Sequence, residues 1–422
     1  MSRSRSGRSA LAGRRRRPHA AVPLLLAAGL SVLSCRPEPI SRIEPAALAQ
    51  VPVDLFLRVQ LAAAAEQIKL AVHSPYQIRD TRGRIIIDSA APLDSCLVSA
   101  GRADAPGISI GSRALSPETV EVVPATDGAL RVGHRRYRGY VRLSAGPDGL
   151  RVINVVHVES YLRGVLCGEL PRWFNRRTFR AQAIAARTYA LYQKLVASKR
   201  RQYDVLATEA SQVYLGLNGE TRKAIDAVDY TRGIVLTWNS PAGPKIFSTY
   251  YSSTCGGMNQ SIANCKNEPQ IPPLAGGVIC RHCHSSPHYN WPALRLTKQY
   301  ITEHLQQRFK HLADIRRIER IEVLKQTSDD RAVRLALTDA AGRRFELRAE
   351  DFRLAVGGNR LKSTRCRIVA ELDAFVFADG RGFGHGVGLC QYGAEGMARG
   401  GATAAQILQH YYPQSRLIKA YD

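Results

Sequence analysis

Asn154-Val-Val-His-Val-Glu-Ser-Tyr-Leu-Arg-Gly-Val-Leu166, then Gly168-Glu-Leu-Pro171, then an alanine-rich run from Asn175 to about Lys199, is the stretch on which the fold turns. Arg151 to Val156 alternates as a strand does. Glu159 to Gly168 changes to helical spacing, with Tyr161, Leu162, Val165 and Leu166 apolar. Pro171 disfavours helix at the residue before it, so the first helix ends near Glu169. Asn175 is a natural N-cap for a long second helix that holds no internal proline or glycine. Strand, helix, break and helix in this order make a mixed α/β core.

Outward from this stretch, residues 53–145 form a β-rich module. Leu55 to Leu61, Gly83 to Asp88, Thr119 to Val123 and Tyr137 to Leu143 all read as strands. On the other side, Ile234 to Trp238 and Lys245 to Tyr251 read as paired strands around a Pro/Gly turn. Leu296 to Phe309 reads as a helix, Arg317 to Leu347 as two or more strands, and Phe375 to Leu389 as strand and glycine. Two short helices, near Tyr392 to Ala398 and Ala402 to Tyr411, follow. The fold class is α+β: a β-rich N-terminal module, and a core over 146–422 into which a β-rich segment, about 292–370, is inserted.

The chain has 422 residues and a formal net charge of +25. Arg3, Arg5, Arg8 and Arg14 to Arg17 precede the first acid, Glu38, and about +18 remains on the rest, so the folded part is itself basic. Its partners should be polyanions: wall polymers, anionic lipid or nucleic acid. An apolar stretch from Ala20 to Leu33 follows the arginines, with the length of a signal h-region and short for a membrane span. Val32-Leu33-Ser34-Cys35 resembles a bacterial lipobox, in which Cys35 would be acylated and anchor the chain to a membrane. Residues 1–35 are therefore read as a signal peptide and 36–52 as a linker, with export to the cell envelope. The apolar run argues against an arginine-rich nucleic-acid-binding tail, and no nucleic-acid partner is expected.

Three constellations carry chemistry. Glu169 sits where a helix meets Pro171 and can project from a turn. Arg180 and Arg187 are seven residues apart, nearly two helical turns, and so share a face. A carboxyl followed by two co-facial cations suits a saccharide site; on chemistry alone the commoner case is a helix-end glutamate paired to a neighbouring helix. Second, glycine falls at 380, 382, 384, 386 and 388. In an extended strand these would leave one bare face, either for tight backbone packing or for a groove floor in which Gly384, His385 and Gly386 meet substrate. Third, Cys255, Cys265 and Cys280-Arg-His-Cys283, with His282, His284 and His288, are zinc-ligand types at partly zinc-like spacing. Structural zinc, disulfides and free thiols all remain open for them. Gly107-Ile-Ser-Ile-Gly111 fits a nucleophile elbow in letters only, because no helix follows.

Taken in order, these blocks resemble the SpoIID/LytB family of bacterial cell-wall proteins. The resemblance rests on the 154–171 stretch, Ala181-Gln-Ala-Ile-Ala-Ala-Arg-Thr-Tyr-Ala190, Tyr250-Tyr-Ser-Ser-Thr-Cys-Gly-Gly257 and Ser286-Pro-His-Tyr-Asn-Trp291. Gly382-Phe-Gly-His-Gly-Val-Gly-Leu-Cys-Gln-Tyr-Gly-Ala394 and His410-Tyr-Tyr-Pro413 complete it. The family includes lytic transglycosylases that cut peptidoglycan glycan strands during spore engulfment, and relatives described as enhancers of wall amidases. The resemblance implies Glu169 as the catalytic acid, with Arg180 and Arg187 at the places of a Lys and an Arg that position substrate. It also implies zinc in some members, held by a His and cysteines near Cys-Gly-Gly. Cys255, Cys280 and Cys283 are the candidate ligands here, and Ser252 stands where the His would be. No cofactor is required for catalysis. A general acid needs a raised pKa, which arginines beside Glu169 would oppose and burial against Trp173 or Phe174 would favour. The alternative is a non-catalytic glycan-binding activator of a wall amidase.

Overall fold

Strand Gly149–His157 runs directly into helix α1, Val158–Glu169. His157 makes the join: its ring nitrogen accepts the backbone N–H of Glu159 at 3.2 Å, capping the helix. Leu170, before Pro171, is extended at φ −119° and ψ 140°. Asn175 then accepts the N–H of Arg177 at 2.9 Å and opens helix α2, Arg176–Val196. The computed structural model describes Pro52 and residues 54–422, apart from 103–104, 126–127, 198–200 and 267. The signal-like segment, Cys35 and nearly all of the 36–52 linker lie outside the described residues.

Gly149–His157 also belongs to a seven-stranded sheet, where it pairs antiparallel with Phe56–Ala65 (Leu57 opposite Val156) and with Tyr140–Gly146. A six-stranded sheet shares the same core. Val98 and Ile108 of that sheet cluster with Leu57, Val120, Val141 and Val152 of the first. Each such side chain, wholly enclosed, contributes roughly 1.5–3 kcal/mol. Alternation along the strands sends every second residue inward, which is why the β pattern is legible in the sequence.

Helix α2 joins two cores. Ala183, Ala186 and Ala190 pack toward the sheets; Ala181, Ile184 and Ala185 pack toward a second cluster with Phe247, Leu389, Ile407 and Leu408. Methyl side chains let both faces approach closely, so the alanine content reflects a helix buried on two sides. Helix α3, Arg222–Tyr230, crosses beside α1 and α2. The strand Ile234–Ser240 pairs across the turn with Gly243–Ile246, a strand that starts earlier and ends sooner than the Lys245 to Tyr251 reading, and also with Ser415–Lys419.

A third core gathers residues between Trp291 and Phe377. It holds the Lys298–Arg308 helix and the strands Ile318–Gln326, Ala332–Asp339 and Arg344–Arg348. The architecture is mixed α+β, with its β-rich part at the N-terminal side. The glycine row also differs from the sequence reading. Residues 380–388 are not an extended strand with a bare face: Gly382, Gly384, Gly386 and Gly388 have φ of +83°, +101°, +75° and +69°. The chain there winds through conformations that side chains disfavour, and only Gly380–Arg381 and Leu389–Cys390 at its ends are strand.

Candidate active site at the end of the first helix

Glu169 is the last residue of α1 and remains partly exposed. The chain from Asp204 to Tyr214 wraps the helix end, and the Val213 N–H donates to Glu169 Oε1 at 2.7 Å. Gly168 permits this approach, since a Cβ there would fall 2.3 Å from the Val213 carbonyl oxygen. Buried Gln212 fixes the loop: it accepts from the Tyr161 hydroxyl at 3.1 Å and donates to the Tyr251 hydroxyl at 3.0 Å and to the Ala186 carbonyl at 3.3 Å.

Burial raises the Glu169 carboxyl from its ordinary 4.5 to about 7, against the Val213 N–H and the Gln391 side chain, which favour the charged form. The charge of Glu209 adds to the rise, and Tyr251 opposes it. The negative end of a helix also disfavours a second negative charge. Gln391 opens the Gln391–Arg399 helix and is almost fully buried, yet its amide nitrogen makes no regular hydrogen bond among the described residues. Beyond Pro171, Trp173 is 56 % exposed. Its ring meets Phe174 at 4.5 Å and Tyr392 at 6.2 Å, and Arg399 lies 5.0 Å over it. The start of the Gln391–Arg399 helix thus meets Glu169 through Gln391 and Trp173 through Tyr392.

The two arginines do not join this group. Both turn to α3. Arg180 stacks on Tyr230 at 3.5 Å, and Arg187 is wholly buried. Arg187 holds Glu159 through two hydrogen bonds, at 2.9 and 2.7 Å, and donates to the carbonyls of Val228 and Ile234. The Arg187 expectation is therefore corrected: sharing a face with Arg180 is real, but that face looks inward, and a guanidinium with no solvent access meets no substrate. Gly384 and Gly386 lie close against neighbouring side chains. A Cβ on Gly384 would fall 2.8 Å from Ser252, and one on Gly386 3.1 Å from the Arg331 guanidinium. His385 accepts the Val387 N–H at 3.0 Å through its ring. Burial, with Lys266, Arg353 and Arg331, lowers its pKa to about 3, so it stays neutral.

The cysteines do converge. The sulfurs of Cys255, Cys280, Cys283 and Cys390 all lie within 4.8 Å of one another, while Cys265 and the nearby histidines fall outside the group. Ser252 is the register partner of Cys390 in a short parallel ladder. Sequence reasoning missed Gln212, Val213 and Cys390, and left Tyr251 and Gln391 without a role although both lie in quoted blocks. Val213 acts through its backbone and carries no side-chain signal.

A family model described as "Stage II sporulation protein" (SpoIID) matches residues 147–238, which include Glu169 and both helices that frame it. Stage II sporulation protein D of Bacillus subtilis is 28 % identical over 67 % of this chain and 82 % of its own length. These matches support the resemblance to the SpoIID/LytB family. An amidase enhancer of B. subtilis is 26 % identical over 61 % of this chain, but over 40 % of its own length. An uncharacterized protein of Brachyspira hyodysenteriae is 26 % identical over 84 % of this chain and 91 % of its own length. A second model, a domain of unknown function (DUF8618), matches residues 279–388, which include the third core. Among the described residues no helix is long and apolar enough to cross a membrane.

Proposed function

We propose that this chain is an exported cell-wall-remodelling protein that cleaves the MurNAc–GlcNAc bonds of peptidoglycan as a lytic transglycosylase, with Glu169 as general acid. The observation that carries this reading is a carboxyl, on a partly exposed residue at a helix end, whose burial lifts it to about 7, so that a large fraction holds a proton at neutral pH. A general acid works best with a pKa near the working pH. The arginines that would have lowered it are engaged at α3.

The chemistry balances on one carboxyl. Glu169 gives its proton to the bridging oxygen, and the bond from that oxygen to C1 of MurNAc breaks. The sugar's own C6 hydroxyl oxygen bonds to C1, and its proton passes to the carboxylate, restoring the acid. No water is activated, so the second carboxylate of ordinary glycosidases has no task. Tyr251 and Gln391 flank the carboxyl and steady its charged form between the two transfers. The exposed Trp173 ring, next to Tyr392, offers a sugar ring an apolar surface beside the acid.

The test is digestion of purified wall glycan by wild type and Glu169→Gln. Wild type should release 1,6-anhydro-muropeptides, with a rate falling about tenfold per pH unit above about 7. Glu169→Gln should lose about 10²–10⁴-fold or more. Equal product from the mutant removes Glu169 as the acid. The likeness to the amidase enhancer supports the alternative, an activator of a wall amidase. That reading predicts glycan binding and a faster partner amidase, with no glycan cut by this protein alone.

A further inference from the structure

Gln212 is wholly buried where both helices of the site meet the loop that wraps Glu169. Its amide stands in one sense only. The Ala186 carbonyl on α2 can only accept, so it takes an amide N–H at 3.3 Å and turns the amide oxygen to the other side. That oxygen accepts the Tyr161 hydroxyl of α1 at 3.1 Å. The amide nitrogen also donates to the Tyr251 hydroxyl oxygen at 3.0 Å. One side chain thus ties α1, α2 and the short strand Tyr251–Ser252 to the loop.

This arrangement reaches Glu169 twice. The peptide that follows Gln212 carries the Val213 N–H, which donates to Glu169 Oε1 at 2.7 Å, so a side chain held at three points sets where that donor stands. The Tyr251 oxygen already accepts from Gln212, so its own proton turns elsewhere, and the Glu169 carboxyl faces it. Burial and the Glu169 charge raise the Tyr251 hydroxyl well above its ordinary 10, so it keeps that proton at working pH. A protonated carboxyl needs an acceptor for its own O–H. Val213 and Tyr251 meet it with donors, and the Gln391 amide acts in the same sense.

We propose that Gln212 is a positioning residue of the acid: it holds the Val213 N–H and the Tyr251 O–H as donors to Glu169, so that the carboxyl's own proton is turned toward the bridging oxygen of the substrate. The proposal rests on Glu169 as the glycan-cutting acid and adds the direction in which its proton leaves. Gln212 itself, wholly enclosed, acts only through its neighbours. Donors of this kind favour the carboxylate, so each one removed should raise Glu169 further. The titratable groups that face Glu169 are Glu209 on the loop, Tyr161 on α1, Tyr189 on α2 and Tyr251. The three tyrosines are all raised above their ordinary 10, which leaves Glu209 as the charge among them.

The experiment follows the Glu169 carboxyl by carbon-13 NMR in the full chain labelled at glutamate, assigned by its loss in Glu169→Gln, beside the pH–rate profile on wall glycan. Wild type should titrate near 7. Tyr251→Phe should move the titration up by about one pH unit, and the falling limb of the rate profile with it. Gln212→Met keeps the length of the side chain without its amide and frees the Tyr251 oxygen to accept. It should also move Glu169 up, and lower kcat at least about tenfold at unchanged KM. Glu209→Gln should move Glu169 down. A side chain that only held the loop together would leave the titration of the folded variant in place. Should Gln212→Met fail to fold, Tyr251→Phe decides alone. An unmoved or lowered Glu169 titration in Tyr251→Phe, or in folded Gln212→Met, overturns the proposal. The two readings fail separately: wild type that releases no anhydro-muropeptides removes the glycan-cutting acid, whereas active wild type with unmoved titrations in the variants removes Gln212 from the site.

Discussion

Helix α1 carries a glutamate in each of its end turns, and the two live under opposite rules. At Glu159, burial works to raise the carboxyl, but the Arg187 guanidinium, the Tyr421 hydroxyl and the Gly233 N–H outweigh it and hold the group below its ordinary range. At Glu169, burial again raises the carboxyl, and only neutral donors answer it, so the group rises to about 7. Position on the helix acts in the same sense: a negative charge is favoured at the N-terminal end and disfavoured at the C-terminal end. One glutamate is therefore a fixed anion that holds elements together, and the other exchanges its proton near neutral pH. The lesson is that enclosure alone does not decide a carboxyl's role; the partner enclosed with it does.

Three measurements probe this contrast. The largest effect should come from breaking the Glu159 end. Arg187→Ala leaves the buried Glu159 carboxylate without its cation and takes a donor from the carbonyls of Val228 and Ile234. Urea denaturation should show a loss of about 3–5 kcal/mol. If stability is unchanged and glycan binding is lost instead, the guanidinium serves substrate after all.

The next effect lies at the other end. Because folding raises Glu169 from 4.5 to about 7, the folded chain holds a proton there that the unfolded chain releases. Its contribution to stability is present below about 4.5 and lost as pH rises through about 7. Glu169→Gln has no charge to form, so near pH 9 it should be more stable than wild type by roughly 2–3 kcal/mol, with the gap closing near pH 4. Equal stabilities at both pH values would mean that the carboxyl is not raised. Glu159 has the opposite sign: its lowered pKa adds stability above the ordinary carboxylate range, and this is lost on acidification. The smallest effect tests a single bond. Tyr421→Phe removes a 2.6 Å hydrogen bond to Glu159 and should cost about 1.5 kcal/mol by thermal or urea unfolding.

The same contrast shows what a sequence displays and what it withholds. The α1 break, the N-cap Asn175 and the alternating strands from 317 to 347 were legible because each rests on local rules: proline geometry, capping and period two. Arg187 was misread because helical spacing says which residues share a face but not whether that face looks out. The glycine row was misread because alternation suggests a strand, whereas four positive φ angles make it a winding. The Asp204–Tyr214 loop gave no warning, since it has no period and its key contact is a peptide N–H. Cys390 was not grouped with the C-x-x-C pair because it lies far along the chain from it, although its sulfur comes within 4.8 Å of theirs.

The third core has one more consequence. The chain departs after Cys283 and comes back at Cys390, and Asn290–Trp291 pairs with Gly380–Arg381 at the neck. A loop whose two ends leave side by side can be lengthened, trimmed or exchanged as a cassette while its host keeps its shape. Any replacement must still bring cationic donors for the Cys255 and Gly256 carbonyls, a task now done from within the segment by Arg331 and Arg365. Diversity among such chains can therefore accumulate in this appendage, and in whatever it touches, while the end of α1 stays as it is.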